Sequence, residues 1–200
     1  MIAARGDSLG VAAVIVAAGA GSRLGGVAKA LLPYRGKTYL ETIATTGRAV
    51  GLVDAVVIVG EPFREEVAGH ARLLGLRVRV NAAPERGMAS SVALGFAAIA
   101  NGPAAAAWLW PVDHPAVTVA TLQQLIAAIG DADVALPRHA GRGGHPPLIR
   151  RALWAQLAAC GDRPDGARGV LRAARVVTVD VDDPGVVRDV DTLDDLEAGA

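Results

Sequence analysis

Residues 14–32 read VIVAAGAGSRLGGVAKALL, and this stretch decides the fold class of the chain. Its β-branched start, residues 14–16, predicts a buried strand, and the strand leads directly into the small-residue loop 17–22. Such a loop lets backbone N–H groups approach a phosphate closely, because few side chains stand in the way. Arg23 and Lys29 add the positive charge that a polyphosphate requires. The stretch therefore indicates a nucleotide-binding enzyme.

The composition is that of a folded protein without a strongly charged surface. The chain has 200 residues, 52% of them hydrophobic and 20% charged, which is ordinary for one globular domain spanning residues 1–200. Its 20 basic and 20 acidic residues balance, which argues against a nucleic-acid-binding protein. No run approaches the ~20 apolar residues of a membrane span. Cys160 is the single cysteine and cannot form an internal disulfide. We expect a cytoplasmic protein with small-molecule partners, no nucleic acid and no membrane, and with Cys160 packed in the core.

Apolar β-type runs alternate with helical patterns along the chain. The predicted strands are residues 11–16, 55–59, 78–80, 107–112, 134–136 and 176–181. The predicted helices are residues 39–50, 64–74, 90–100, 121–129 (with Thr118 as the N-cap) and 152–159. This alternation predicts an α/β fold with a mostly parallel sheet and helices on both faces. Ligands of such sheets bind beyond the carboxyl ends of the strands, so the residues that follow each strand form the candidate site.

Two common nucleotide-binding motifs do not fit the opening stretch. A dinucleotide-binding fingerprint needs G-x-G-x-x-G and an acidic residue about 20 positions later. Gly19 and Gly21 match, but Leu24 stands at the third glycine position, which disfavours a Rossmann dehydrogenase. The tripeptide GKT at residues 36–38 imitates the end of a P-loop, but Leu31 occupies the place of that motif's first glycine. We therefore interpret the match as accidental and Lys37 as a solvated loop lysine.

Asp113 is the acidic residue with the clearest chemical purpose. It follows the very apolar residues 104–112, so it should emerge at the functional edge of the sheet. A carboxylate at that edge, facing a triphosphate, fits a Mg²⁺ ligand. The alternative is an aspartate that caps the next helix, and it is disfavoured because Pro115 and Thr118 lie in between.

Several short motifs together resemble a known family. Residues 17–25, followed by Lys29, are similar to the LAAGxSxRMG…K signature of nucleotidyltransferases that activate sugars, terpenoid precursors and the molybdenum cofactor. The later motifs resemble the molybdenum-cofactor branch of the MobA-like NTP transferase family, above all its cytidylyltransferases. In chain order they are Asn81 with GMASS at 87–91, PVDHP at 111–115, GHP at 144–146, DGAR at 165–168 and DVDTLDDL at 189–196. They run in family order and span nearly the whole chain.

The resemblance implies a fold, a nucleotide and a reaction. The fold would be the Rossmann-like nucleotide-diphospho-sugar transferase fold. Guanylyl enzymes of the branch typically carry glycine where this chain has Ala18, so the alanine favours CTP. The implied reaction is attack by a terminal phosphate of a molybdopterin-type cofactor on the α-phosphorus of CTP, with release of pyrophosphate. Two positions depart from the family pattern, with His114 in place of glutamine and Leu193 in place of proline.

The resemblance also implies a catalytic set. Arg23 and Lys29 would neutralise the leaving pyrophosphate and the charge that builds at the α-phosphorus, and Asp113 would act with them. Asp113 and Asp191 would share one Mg²⁺ that bridges nucleotide oxygens. Asp189 is the alternative second metal ligand, because the sequence does not decide which of the two points inward.

The remaining implied roles are contacts with the two substrates. The residues expected to bind the nucleotide are Ala17, Ala18, Gly19, Gly21, Ser22, Asn81, Gly87, Ser90 and Ser91. The two serines could instead cap the helix that follows them. His145 and His114 would contact the acceptor, and a histidine that only stabilises its own turn is the alternative for His145.

Other functions stay as alternatives. The nucleotide could be GTP or UTP, and the acceptor could be a sugar phosphate or another phosphorylated metabolite. An NAD(P)-binding oxidoreductase and a non-catalytic nucleotide-binding protein are the remaining classes, and the full set of basic and acidic residues argues against the second. The cytidylyl reaction would bring transient contact with a molybdoenzyme or its chaperone. The acidic residues expected to form only a solvated surface are Asp180, Asp182, Asp183, Asp194 and Asp195.

Overall fold

The computed structural model describes residues 10–19 and 26–189. In chain order its strands are β1 Val11–Val16, β2 Pro33–Tyr34, β3 Lys37–Thr38, β4 Leu52–Val59, β5 Arg77–Val80, β6 Ala106–Pro111, β7 Val134–His139, β8 Arg142–Gly143, β9 Leu148–Arg150 and β10 Val176–Asp180. Its α-helices are α1 Tyr39–Ala49, α2 Arg64–Leu73, α3 Met88–Ile99, α4 Val119–Ala128, α5 Trp154–Ala158 and α6 Gly166–Arg172. The strands and helices predicted between residues 11 and 181 are all present, with ends shifted by a few residues.

Eight strands form the central sheet. Their order is β10-β7-β9-β6-β1-β4-β5, with β8 added to β7, while β2 and β3 form a separate hairpin. Strand β1 runs parallel to both β4 and β6, β4 runs parallel to β5, and β7 runs parallel to β10. The short β9 is antiparallel to both of its neighbours, β6 and β7. The predicted mostly parallel sheet is confirmed, and the antiparallel strands β9 and β8, which pairs with β7, are the exceptions that the sequence did not predict.

Helices cover both faces of the sheet, as the alternation of strands and helices predicts. The side chains of β1 show the division, because Ala13 and Ile15 enter one buried cluster while Ala12 and Val14 enter the other. The first cluster is completed by α1, α2 and α4, and the second by α3, α5 and α6. None of the helices in the described ranges is long and apolar enough to cross a membrane.

Helix α3 packs unusually close to the sheet. A Cβ atom at Gly95 would collide with Cγ1 of Val14 on β1, so only glycine allows this approach. At the start of α3, the carbonyl of Ala89 accepts a hydrogen bond from Sγ of the buried Cys160 at 3.6 Å. The predicted core role of Cys160 is confirmed, and burial raises the pKa of its thiol. The packing fixes the start of α3 near the edge where the parallel strands end.

Candidate active site

The carboxyl ends of the parallel strands meet at one edge of the sheet, and the predicted site residues lie along it. The small-residue loop follows β1, Asn81 follows β5, and Asp113 follows β6 by two residues. Because β9 runs the opposite way, its first residue lies at this same edge, and His145 stands three residues before it. The topology therefore brings together residues that are far apart in the sequence.

The start of the loop after β1 packs against the next strand. Ala17 extends the hydrogen bonding between β1 and β4 by one residue, since its N–H donates to the carbonyl of Ile58 at 2.9 Å. Ala18 is buried beside Gly60, where an added Cβ would lie 3.1 Å from the Ala18 Cβ and 3.2 Å from the Pro84 Cβ. The Ala18 methyl group, Gly60 and Pro84 therefore form a close apolar wall next to the loop.

Asn81 uses its side chain to organise the start of α3. Its Nδ2 donates to the hydroxyl oxygens of Ser90 (2.8 Å) and Ser91 (2.9 Å), and its Oδ1 accepts from the Ala83 N–H at 3.0 Å. Ser90 in turn donates to the Gly87 carbonyl at 2.8 Å. Gly87 itself is the N-cap of α3, with φ +86°, and no side chain caps the helix, so the alternative in which the serines cap it is wrong. Both donor hydrogens of Asn81 are occupied, which makes it a residue that positions the serines.

Asp113 carries a buried oxygen that lacks a hydrogen bond. Its side chain is 26% exposed, and Oδ2 lies 3.9 Å from Nζ of Lys29. Oδ1 is buried, has no hydrogen-bond partner among the described residues, and lies 3.8 Å from Nε2 of His114. The alternative role as a helix cap is wrong, because α4 is capped by Thr118, as predicted, through its acceptance of the Thr121 N–H. An unsatisfied carboxylate oxygen beside an ammonium group fits a cation ligand.

A second metal ligand is not established by the described residues. Within residues 10–19 and 26–189 no group of three His, Cys, Asp or Glu side chains is arranged to hold a metal ion. Asp189 is exposed at the same edge, and Asp191 lies outside the described residues. The choice between Asp189 and Asp191 therefore stays a prediction.

The rings of His114 and His145 lie against each other in a tilted arrangement. Their ring centroids are 4.9 Å apart, with an angle of 40° between the planes. His114 is only 6% exposed, its Nδ1–H donates to the Gly185 carbonyl at 3.4 Å, and its own carbonyl accepts from Nε1 of Trp110 at 3.0 Å. These contacts hold the His114 ring in place and leave it little surface for a ligand. His114 is placed to support the ring of His145.

His145 is the more accessible member of the pair and is uncharged near neutral pH. Burial is the main cause that lowers the pKa of His145 to about 4, followed by the charge of His114, with a smaller lowering from Arg168 and an opposing effect from Asp189. Its backbone N–H donates to the Val186 carbonyl at 2.7 Å. Its ring Nδ1 is buried and has no hydrogen-bond partner in the described part of the chain. The backbone therefore holds this turn, and the neutral ring keeps one donor and one acceptor.

Asp183 corrects one prediction. It was expected on a solvated surface, but it is 5% exposed. Its Oδ2 accepts from the N–H (2.9 Å) and hydroxyl (2.9 Å) of Thr118 and from the hydroxyl of Thr121 (2.6 Å), while Oδ1 accepts from the Gly185 N–H at 2.9 Å. The sequence did contain a signal for a structural role, because D-P-G at 183–185 is typical of a turn. The neighbouring acidic residues led us to assign Asp183 to the surface instead. Asp182 is exposed, as expected.

Several predicted residues lie outside the described ranges. They are Gly21, Ser22, Arg23, Asp191, Asp194 and Asp195. Their roles stay predictions. Gly19 is described and is exposed at the end of the first range.

Comparison with known proteins identifies relatives over nearly the whole chain. The family profile described as MobA-like NTP transferase domain matches residues 13–179. The chain is 33% identical over 195 residues to a protein of Paenarthrobacter nicotinovorans named nicotine blue oxidoreductase, covering 93% of this chain and 94% of that protein.

Solved structures of similar proteins have the same architecture. Rv0371c from Mycobacterium tuberculosis H37Rv is 30% identical, with a TM-score of 0.76 and coverage of 94% of this chain and 97% of that one. A second structure of that protein is a complex with manganese. Molybdopterin-guanine dinucleotide biosynthesis protein A from Archaeoglobus fulgidus shares the fold, with a TM-score of 0.66 at 15% identity, covering 94% of this chain and 96% of that one. The predicted Rossmann-like nucleotidyltransferase fold is confirmed.

Proposed function

This chain belongs to the MobA-like NTP transferase family and is a nucleotidyltransferase, and we propose that it transfers CMP from CTP to the terminal phosphate of a molybdopterin-type cofactor. The observation that carries the proposal is the Asp113 carboxylate, which has a buried oxygen without a partner and lies 3.9 Å from Lys29 Nζ. Nucleotidyl transfer needs positioned charges rather than a protein nucleophile. The motifs of the sequence that resemble the cytidylyl branch support the choice of base and acceptor.

In this proposal each charged group has a separate task. Lys29, together with Arg23, neutralises the charge that builds at the α-phosphorus and on the leaving pyrophosphate. Asp113, with Asp191 or Asp189, would hold Mg²⁺, which supplies Lewis-acid polarisation of the phosphate oxygens when bound. The loop after β1 supplies backbone N–H groups to the nucleotide, and the neutral ring of His145 contacts the acceptor. No protein group forms a covalent bond with the substrate.

Pyrophosphate release tests the proposal directly. We expect release with CTP and Mg²⁺ only when molybdenum cofactor is present, and little release with ATP, GTP or UTP. A preference for GTP or UTP would overturn the choice of base. Release with a sugar phosphate in place of molybdenum cofactor would overturn the choice of acceptor.

Replacing Lys29 with alanine is expected to lower kcat by about a hundredfold while the KM for CTP changes by less than about threefold. The reason is that the ammonium group stabilises charge that develops mainly in the transition state. Steady-state kinetics with saturating acceptor measure both constants. The matched control is Lys37→Ala, because Lys37 is the other lysine of the chain and is exposed on β3. A rise in KM without a fall in kcat would contradict the assigned role.

Replacing Ala18 with glycine is expected to reduce the preference for CTP over GTP by about tenfold, the size of effect that one methyl group has in an apolar pocket. The Ala18 methyl group closes the wall that also contains Gly60 and Pro84, so its loss makes room for a larger base. The ratio of kcat/KM for the two nucleotides is the measurement, and Ala173→Gly, at an exposed alanine just after α6, is the control. An unchanged ratio would mean that the base is recognised elsewhere.

A second candidate function is an oxidoreductase activity. It is favoured by the relative named nicotine blue oxidoreductase, which is 33% identical over 93% of this chain. The missing dinucleotide fingerprint argues only against a Rossmann dehydrogenase, so it leaves this candidate standing. Oxidation of NADH or NADPH in the presence of nicotine blue, with no pyrophosphate release from any NTP, would replace the transferase proposal by this one.

The proposed partners follow from the proposed reaction. The substrates are small molecules, CTP and the cofactor, and the balanced charge of the chain supports the expectation that nucleic acid is not involved. The product is destined for a molybdoenzyme, so we propose transient contact with that enzyme or its chaperone. A cytoplasmic location is part of the same proposal.

A further inference from the structure

The two edge strands of the central sheet differ in how their outer edges are protected. Strand β5 carries arginine at alternate positions, Arg77 and Arg79, and both are exposed. Charged side chains of this kind are a common means of preventing edge-to-edge pairing. Strand β10, at the opposite end of the sheet, reads VVTVD and consists mainly of β-branched residues. Its outer edge therefore lacks the protection that β5 has.

Alternate residues of β10 direct their backbone groups away from the sheet. On the side of β7, the Arg175 carbonyl accepts from the Asp133 N–H at 2.8 Å. On the same side, the Val181 N–H donates to the Arg138 carbonyl at 2.9 Å. Because successive residues of a strand direct their N–H and C=O groups to opposite sides, the outward residues are Val176, Thr178 and Asp180. In the part of the chain that the structure describes, no strand pairs with that side of β10.

A second copy of β10 satisfies these outward groups in one symmetric register. When two copies run antiparallel with Thr178 opposite Thr178, Val176 of one copy lies opposite Asp180 of the other. Outward residues then face outward residues, so each free N–H meets a carbonyl in the hydrogen-bonded pairs of an antiparallel ladder. A shift by one residue would set outward groups against inward ones. A shift by two would move Asp180 beyond the end of the partner strand.

The side chains of β10 are compatible with this register. Pairs of β-branched residues, and threonine opposite threonine, are favourable across antiparallel strands. Asp180 is the charged residue of β10, and Arg138 binds its carboxylate through two hydrogen bonds of 2.7 and 2.8 Å. In the register Asp180 faces Val176, which is 44% exposed, so like charges are not opposed. Just before the strand, Arg175 is paired in the same way with Asp133 at 2.9 Å.

We propose that the chain forms a symmetric dimer in which two β10 strands pair antiparallel and join the two sheets. The partner is a second copy rather than the strand of another protein, because the symmetric register pairs the outward groups of both copies without opposing like charges. The two β10 strands run in opposite directions, so the two candidate active sites lie at opposite edges of the joined sheet. Because β10 carries no residue of the candidate active site, the dimer does not depend on the proposed function.

Charge substitution at the residue that faces itself tests the pairing. Thr178 is exposed, so Thr178→Arg sets two arginines opposite each other in the dimer, and Thr178→Glu sets two glutamates there. Like charges directly opposite weaken a strand pair, and opposite charges strengthen it. Sedimentation velocity of the full chain between roughly 5 and 500 µM measures the dissociation constant. The control variants are Val80→Arg and Val80→Glu, because Val80 is 44% exposed on the opposite edge strand β5.

We expect a reversible equilibrium between monomer and dimer in the unmodified chain. Each Thr178 charge variant alone should raise the dissociation constant by at least about tenfold. An equimolar mixture of the two should form a mixed dimer whose affinity is within about threefold of the unmodified value. The Val80 variants should dimerise as the unmodified chain does, and turnover per chain should be the same in the Thr178 variants.

A proline variant gives a second, uncharged disruption of the same edge. Thr178→Pro removes an N–H that points away from β7, and edge strands tolerate proline at such a position. It should weaken the dimer by at least about tenfold while the melting temperature shows that the chain is folded. It carries the test if either charge variant fails to fold.

Three outcomes would overturn the dimer. The first is a chain that stays monomeric up to roughly 500 µM, whatever other strand its edge binds. The second is a dimer whose dissociation constant none of the Thr178 variants changes, since its interface would then lie elsewhere. The third is a dimer that both charge variants weaken and their mixture does not restore, since Thr178 would then not face itself. Absence of CMP transfer in a chain that dimerises as expected would overturn the proposed function alone.

Discussion

Asp113→Asn is expected to lower kcat by about a thousandfold while the protein stays folded. The carboxylate has one oxygen 3.9 Å from Lys29 Nζ and another that is buried without a hydrogen bond. The substitution removes the negative charge that holds a divalent cation, so transition-state stabilisation at the α-phosphorus is lost. It also removes an incompletely satisfied charge from the fold, and for that reason the melting temperature should not fall.

The measurement is pyrophosphate release over a titration of Mg²⁺ or Mn²⁺, together with thermal unfolding. Asp182→Asn is the matched control, because Asp182 is an exposed aspartate near the same edge. Normal turnover by Asp113→Asn at all metal concentrations would remove the metal assignment. A large fall in melting temperature would show instead that the carboxylate has a structural role.

Asp183→Ala is expected to reduce the free energy of unfolding by about 3–5 kcal/mol. The buried carboxylate accepts from Thr118, Thr121 and Gly185, and its removal leaves those donors without a partner. Activity should fall as well, because the turn at Gly185 is hydrogen-bonded to the ring of His114.

Urea unfolding measures this loss, and Asp182→Ala, one position away and exposed, should leave the unfolding midpoint unchanged. Asp183→Asn is a useful intermediate, because an amide keeps one acceptor oxygen but turns a donor toward other donors. An Asp183→Ala protein as stable as the control would mean that water replaces all four hydrogen bonds.

The fold was predictable where the elements are long and periodic. The sheet and five of the helices follow from apolar runs that alternate with helical spacing. Strand β9 was not predicted, because three residues after two prolines carry no period of their own. Helix α6 was not predicted either, because Gly166 and Gly169 weaken a helical pattern. Strand β9 is held between β6 and β7 by backbone hydrogen bonds, and α6 packs against α3 and α5.

The site was predictable where position along a strand was enough. Asp113 was predicted at this edge because it follows a buried strand, and it lies there with a buried oxygen that has no hydrogen-bond partner among the described residues, while its role as a metal ligand stays a prediction. Asp183 was assigned to the wrong environment, because its threonine partners lie 62 and 65 residues away and no local pattern connects them. The side chain of Asn81 was expected to bind the nucleotide, but sequence does not reveal that its donors are used by the two serines.

Strand β6 separates the central sheet into strands from the first half of the chain and strands from the second half. Strands β1, β4 and β5, which lead into the small-residue loop and Asn81, are adjacent in the sheet and all come from the first half of the chain. Strands β7, β9 and β10 lie on the other side of β6 and come from the second half, which also supplies His145. In the proposed function the first half of the chain therefore contacts the nucleotide and the second half contacts the acceptor, with Asp113 at the boundary between the two.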